Sequence, residues 1–324
     1  MPTAPEDGLA PAPGRQAAGE HAPAAAAVRR RPEQLLLAFM GELMLAGGAG
    51  PLPASVLIAV LGELGVGEAA TRATLSRMVA RGLLLPARVG RSVVYRLTPD
   101  SERVLGQARD RVFDEDPFAP RGTGWTLVTF SVPESRRDVR HRVRAQLVWA
   151  GFGLLRDGLW IAPGEVDVAA ALGEMHDDAR AAPDAARAVP DEARAADDEG
   201  GAVHGGGPAS HDGELELAAF RAHEVPGFSA ARSVRTAWRL DAMRAHHEQF
   251  QARWRRAEPD ASGSLRDLTA LVADWLDLLR TVPRLPADHL APDWPGAASV
   301  EVFRGLHAAL TEPARAELAR RLAA

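Results

Sequence analysis

The chain has 324 residues and a formal charge of −5, long enough for two or three domains that each bury a core. It has no cysteine, and all 38 basic residues are arginine. Disulfides, thiolate metal sites, cysteine nucleophiles, a phosphate-loop lysine and a Schiff-base lysine are therefore excluded.

Residues 1–31 are rich in Ala, Pro and Gly, hold no apolar run long enough for a signal-peptide core, and read as a disordered arm. Pro32 suits the first turn of a helix through EQLLLAFMGELML, and a second apolar helix is expected over 53–64. Residues 43–62 are uncharged over nearly a membrane-spanning length, but Pro51, Pro53 and several glycines divide them into two soluble helices. No membrane association is expected, and the location is read as cytoplasmic.

Gly65-Val66-Gly67 is a short turn into a third helix that Gly82 should end, since glycine takes positive φ freely. Leu75, Met78, Val79 and Gly82 share one arc of that helix. Ala69, Ala73, Ser76 and Arg77 share the other, which is low enough to enter a DNA major groove. Two strands, 83–89 and 92–97, follow around Gly90, with Val93, Tyr95 and Leu97 expected inward and Ser92, Val94 and Arg96 outward. Helix, turn, helix and basic hairpin make a winged helix-turn-helix over 32–99. Residues 28–111 carry 12 arginines against 7 carboxylates, which fits a nucleic-acid reader. The candidate DNA contacts are Thr71, Arg72, Ala73, Ser76 and Arg77 on the helix and Arg88 and Arg91 on the wing. Arg72 lies near the edge of the buried arc, and its alternative role is a clamp to the helix-turn-helix core.

A polar helix over 98–113 opens a linker that extends to residue 122. WTLVTFSV then reads as a strand and is followed by a helix reaching about residue 150, with Val139, Val143, Leu147 and Ala150 inward. Arg136, Arg137, Arg140, Arg142 and Arg144 cover the other side. FGLL and GLWIA pair around Arg156-Asp157-Gly158, so 123–224 reads as a ferredoxin-like split β-α-β unit closed by a strand in LELAAFRAHEV. An acidic, low-complexity insertion, 177–213, interrupts it and reads as disordered. Residues 225–324 read as a helical domain, with helices over 232–257, 265–280, 300–310 and 313–322 and a proline-punctuated loop anchored by Trp294. The fold class is α+β and multidomain.

Three groups of residues in the same order resemble the PaaX-type regulators, the phenylacetic-acid degradation repressor family. The first is Arg72, Ala73, Leu75, Ser76, Arg77 and Gly82 with Gly90, Arg91, Tyr95, Leu97 and Thr98. The second is TAWRLDAMRAHHEQFQARW and the third is LPADHLAPDWPG. Arg239 replaces the acidic residue usual in the family, and His247 a common tyrosine. The resemblance implies a winged-helix reader, a central domain similar to the Cas2 fold and a helical C-terminal domain. It also implies a homodimeric repressor released from double-stranded DNA by an acyl-CoA, typically phenylacetyl-CoA, and a two-fold dimer calls for an inverted-repeat operator.

An acyl-CoA needs cations for its phosphates and an apolar slot, and Arg232, Arg235, Trp238, Arg239 and His246 offer that mixture on one helix. Solvated arginines around a core Trp238 are the alternative. A Cas2-like nuclease would need carboxylates clustered around Mg²⁺. The first central strand instead ends in Ser131-Val132-Pro133-Glu134, with Asp138 on the helix beyond. His246-His247-Glu248 lacks the i, i+4 histidine pair of a helical zinc site. No catalytic residue, metal or cofactor is assigned. The third class, a partner-binding protein without sequence-specific DNA affinity, is separated from the first by an operator titration.

Overall fold

The computed structural model describes residues 30–46, 48–173, 215–227, 230–257 and 263–323. The acidic insertion over 177–213 lies outside the described residues, as does the expected arm apart from Arg30 and Arg31.

Pro32 occupies the first turn of α1 (Pro32–Met40), which continues as a wider π turn, Gly41–Ala46. A short strand β1 (Leu52–Pro53) leads into α2 (Ala54–Glu63), and α3 (Glu68–Ala80) follows after four residues. Gly82, at φ +69°, closes α3 in a Schellman motif. Its N–H donates to Val79 O at 3.0 Å, and the Leu83 N–H reaches back to Met78 O at 2.9 Å. β2 (Leu84–Val89) and β3 (Ser92–Leu97) form the hairpin, and β1 adds to the far side of β3 to give the order β1-β3-β2.

Within this hairpin Leu97 and Tyr95 reach the main core as expected, Leu97 buried in it and Tyr95 half-buried against it. Val94, expected outward, is buried as well, on the face it shares with its cross-strand neighbours Ala87 and Pro53. Thr98 then caps α4 (Pro99–Val112), accepting from the Ser101 N–H at 3.2 Å and donating to Gly82 O at 2.9 Å. The end of the hairpin and the end of α3 are thereby tied at one point.

The second sheet contains β4 (Trp125–Ser131), β5 (Gly153–Arg156), β6 (Leu159–Pro163) and β7 (Glu216–Ala222). It is antiparallel in the order β5-β6-β4-β7, the order of a doubled split β-α-β unit. Between β4 and β5 runs α5 (Arg137–Trp149), and α6 (Val168–Leu172) follows β6. Alternation along β4 serves two layers. Val128 and Phe130 pack with Val139, Val143 and Leu147 of α5, while Trp125 and Leu127 face the C-terminal helices.

The C-terminal region differs from its sequence reading in two places. Residues 232–257 do not form one helix: α7 (Ala231–Ala237) and α8 (Leu240–Trp254) are separated at Trp238, which is extended at φ −130°, ψ 144°. That turn lays the end of α7 on β5, where a Cβ at Gly153 would stand 2.7 Å from Ala237 Cβ, so only glycine permits the approach. Conversely, the two helices expected around Pro313 are one, α10 (Gly296–Ala323). Pro313 removes a single N–H donor, and Leu310, Ala314 and Leu318 hold both halves in the same core.

Between α8 and α10 lies α9 (Ser264–Thr281), whose buried residues extend around most of its circumference. Its neighbours are α1, α2, α4, α8 and α10. Trp275, fully buried, stacks on Phe303 at 4.5 Å, meets Phe250 and Phe118, and donates its indole N–H to Val112 O at 3.4 Å. One continuous core therefore includes both the N-terminal and the C-terminal helices.

His247 is fully buried beside this aromatic group, its ring edge-on to Phe118 at 4.7 Å and its Nδ1 3.0 Å from Ser299 Oγ. Burial, with the charges of His246 and Arg244, lowers its pKa from 6.5 to about 4. The folded protein keeps this imidazole neutral, whereas the unfolded chain protonates it below about pH 6.5.

Two predictions follow from this core. Trp275→Ala should lower unfolding stability by ~3–5 kcal/mol, read as a shift in urea midpoint. Stability should also fall as pH drops from 6.5 towards 4, by up to ~3 kcal/mol, and His247→Gln should flatten that slope. A wild-type slope retained in His247→Gln would assign it to other groups.

Candidate nucleic-acid interface

The exposed face of α3 carries Ala69, Arg72, Ala73, Ser76 and Arg77, while Thr71, Thr74, Leu75 and Met78 are buried. Thr71 thus leaves the DNA-facing set. It is fully buried, and its hydroxyl donates to Gly67 O at 3.2 Å. Small side chains leave the backbone of α3 accessible over two turns, with Arg77 rising at its end. The Arg77 Nη2 donates to Thr74 Oγ1 at 2.9 Å, an anchor from the buried side that orients the guanidinium.

Arg72 does not clamp the core. Its guanidinium is exposed and pairs with Glu68 one turn earlier at 2.8 Å, so a phosphate or base would have to compete with that carboxylate. Arg81 is likewise engaged, binding both carboxylate oxygens of Glu33 at 2.7 and 2.9 Å and joining α3 to the start of α1. At the hairpin, Arg88 and Arg91 flank the tip and are exposed, together with Val89. Tyr95 packs beneath the hairpin against the main core.

The effector residues expected on one helix are not gathered. Arg232 and Arg235 are exposed on α7, Arg239 is exposed between the helices, and His246 is half-buried on α8. Trp238 is 8% exposed and stacks on Trp125 at 6.4 Å, so it belongs to the core. A cleft of about 1050 Å³ lies elsewhere, between residues 114–121 and 284–304, with Phe118, Leu290, Trp294 and Val300 in its walls. The LPADHLAPDWPG segment, noted above for its motif alone, forms much of that wall.

Arg284 stands at the back of this cleft, donating to Asp114 Oδ2 at 2.8 Å and to Ala119 O at 3.1 Å. Burial raises the Asp114 carboxyl, but the hydrogen bonds from Arg284 and the Asp116 N–H, with the charges of Arg284 and Arg121, hold it below the usual carboxylate range. Arg304 donates to the carbonyls of Asp114 and Glu115, both at 2.9 Å. Arginines from α10 and from the loop before it thus fasten the segment that follows α4.

At the end of β4, Glu134 pairs with Arg137 at 2.6 Å and with Arg140 at 3.8 Å, and Asp138 pairs with Arg142 at 3.7 Å. Among the described residues no group of three or more His, Asp or Glu side chains is placed to hold a metal ion. No helix of the described residues is long and apolar enough to cross a membrane.

Three family models match in chain order: PaaX-like protein over residues 33–101, PaaX protein central Cas2-like domain over 119–195, and PaaX-like protein C-terminal domain over 238–320. Residues in the chain are 31% identical over 120 positions to the transcriptional repressor PaaX of Escherichia coli (strain K12), a stretch that covers 36% of this chain and 37% of that protein. An uncharacterized protein from Mycobacterium tuberculosis shares the fold, with a TM-score of 0.51 at 21% identity over 88% of this chain and 97% of its own. With all three parts matched in order, the chain belongs to the PaaX-like family.

Proposed function

We propose that this protein is a DNA-binding transcriptional repressor of an operon for the breakdown of aromatic or related acids, released from its operator by an acyl-CoA such as phenylacetyl-CoA. In this reading, residues 32–99 are a winged helix-turn-helix, 123–224 a ferredoxin-like centre and 225–324 the effector and dimerisation region. The homodimer presents two copies of α3 to an inverted repeat. The observation that carries the proposal is the low, exposed face of α3, with Arg77 beside a hairpin tip bearing Arg88 and Arg91, in a chain related to a transcriptional repressor. Ser76 and Arg77 read base edges, and Arg88 and Arg91 set the hairpin on phosphate. Arg72 contributes after exchanging Glu68 for the DNA.

Coupling to an effector has a physical route, because the helices behind α3 are bound to the C-terminal helices. Arg321 of α10 reaches Glu63 at the end of α2 at 2.8 Å and also pairs with Glu317. His307 of α10 meets the buried Glu42 carboxylate at 3.1 Å. A ligand that shifts α10 therefore acts on the N-terminal helices through these contacts and the shared core.

In fluorescence titrations, Arg77→Ala should weaken binding to the operator more than to random duplex; equal losses on both would remove Arg77 from base reading. Arg91→Ala should weaken both alike and reduce the salt slope by about one unit. Phenylacetyl-CoA should weaken operator binding by about 5- to 150-fold, the range of a typical coupling. Free acid and free CoA should leave it unchanged, and operator DNA should weaken acyl-CoA binding by the same factor. A panel of acyl-CoAs that changes neither affinity would remove the effector while leaving DNA binding in place.

A further inference from the structure

A second cleft, of about 310 Å³, opens between α4, the end of α5, the β6–α6 turn and the segment after α9. Three guanidinium groups converge there from distant parts of the chain: Arg111 from α4, Arg121 from the loop before β4, and Arg284 from the loop after α9. Among the described residues Asp114 pairs with two of them, at 2.8 Å from Arg284 and 3.9 Å from Arg121. The cleft is also lined by Arg280, which pairs with Asp277, by Glu165, 3.8 Å from Arg221, and by Asp167, whose carboxylate caps α6.

Four arginines therefore line the cleft against the two carboxylates of Glu165 and Asp167, an excess of two, with Arg111 at the buried end. Arg111 carries a buried Nε with no partner among the described residues, and its Nη2 has a long 3.5 Å contact to Val282 O. Burial, then the charges of Arg284 and Arg121, lower its pKa to about 10, against the pull of Asp114. An unpaired buried donor next to two like charges is unfavourable unless an anion completes it. At the mouth of the same cleft Trp149 is 67% exposed, an uncommon state for so large an apolar side chain.

We propose that this cleft binds a nucleoside diphosphate, with its phosphates on Arg111, Arg121 and Arg284 and its base stacked on Trp149. The excess of two positive charges matches a diphosphate better than a carboxylate, which would carry one charge and two acceptors. An indole face accepts any base by stacking. The larger cleft shares Arg121 and Arg284 and adds Arg304, but Asp114, Glu115, Asp116 and Glu301 line it too, so carboxylates outnumber arginines there and it is the poorer place for phosphate. The ligand is either a free nucleotide such as ADP or the nucleotide portion of an acyl-CoA, and only the second source rests on the effector reading above.

Calorimetry on the full chain with ADP, inorganic pyrophosphate and phenylacetyl-CoA tests this. Arg121→Ala is the main variant, because its guanidinium is exposed and its ion-pair partner among the described residues, Asp114, is 3.9 Å away, so folding should persist. ADP should bind the wild type, pyrophosphate should compete, and Arg121→Ala should weaken both by about tenfold or more, equivalent to ~1.4 kcal/mol. Trp149→Ala should weaken ADP while sparing pyrophosphate, a split that a general loss of structure would not produce.

Failure of both ADP and phenylacetyl-CoA to bind overturns the site, as does binding to both variants at wild-type affinity. Phenylacetyl-CoA that binds both variants unchanged and still releases operator DNA, with no binding of ADP, also overturns the site, while the effector reading stands. ADP binding lost in the variants, with no acyl-CoA acting on the operator, supports the site and assigns it to free nucleotide. Heats that depend on protein concentration and not on nucleotide would make Trp149 a self-association contact and overturn the proposal.

Discussion

A helix that is apolar around most of its circumference has to be covered around most of its circumference, and α9 imposes that requirement on the rest of this protein. Leu265, Leu268, Leu271, Trp275, Leu278 and Leu279 are all buried, and they are enclosed by α1, α2, α4, α8 and α10 together. Trp275 gathers Phe118, Phe250 and Phe303 around one indole and reaches Val112 of α4 through its N–H. The N-terminal helices therefore share a core with the C-terminal ones, although more than 150 residues separate α1 from α9 in the chain. In the proposed repressor this shared core couples the C-terminal helices to α3, since close-packed cores move between discrete arrangements and do not deform smoothly.

The central sheet is held by a different device. Its β4 and β6 strands are apolar on both faces, one turned to α5 and the other to the main core. The second attachment depends on Gly153, which lets α7 approach β5, and on Trp238, which leaves helical geometry to stack against Trp125. The same turn that breaks the helix disperses the arginines expected to serve an effector. Packing of one tryptophan outweighs the local preference for a continuous helix, because burying a large aromatic is worth more than the few tenths of a kcal/mol that separate ordinary residues in helix propensity.

Arginine as the sole basic residue gives the electrostatics a particular character. Guanidinium stays charged and binds carboxylates and carbonyls in a planar fork. Many of these forks are used internally: Arg81 on Glu33, Arg244 on Asp293, Arg284 on Asp114, Arg304 on two carbonyls, and Arg321 on Glu63 and Glu317. Such pairs fix how loops and helices meet more than they add stability where they are exposed. Against that background, Arg77 beside Ala69, Ala73 and Ser76 is distinguished by the low surface around it, and Arg111 by its buried unpaired nitrogen.

Local pattern was sufficient wherever the deciding forces act within a few residues. Gly82 ending α3, Thr98 opening α4, the Asp157-Gly158 turn and the alternation of β4 were legible because caps, turns and strand faces depend on neighbouring residues. Motif spacing likewise located the exposed face of α3 and the two arginines at the hairpin tip. Tertiary packing alone decided that Thr71 is buried, that Val94 is buried on the face expected outward, that Pro313 lies within a continuous helix, and that residues 232–257 bend at Trp238. It alone brought Arg111, Arg121 and Arg284 to one cleft. Side chains so far apart in the chain share no periodicity. Their meeting is set by how α4 and α9 pack around Trp275, a long-range contact that no local window contains.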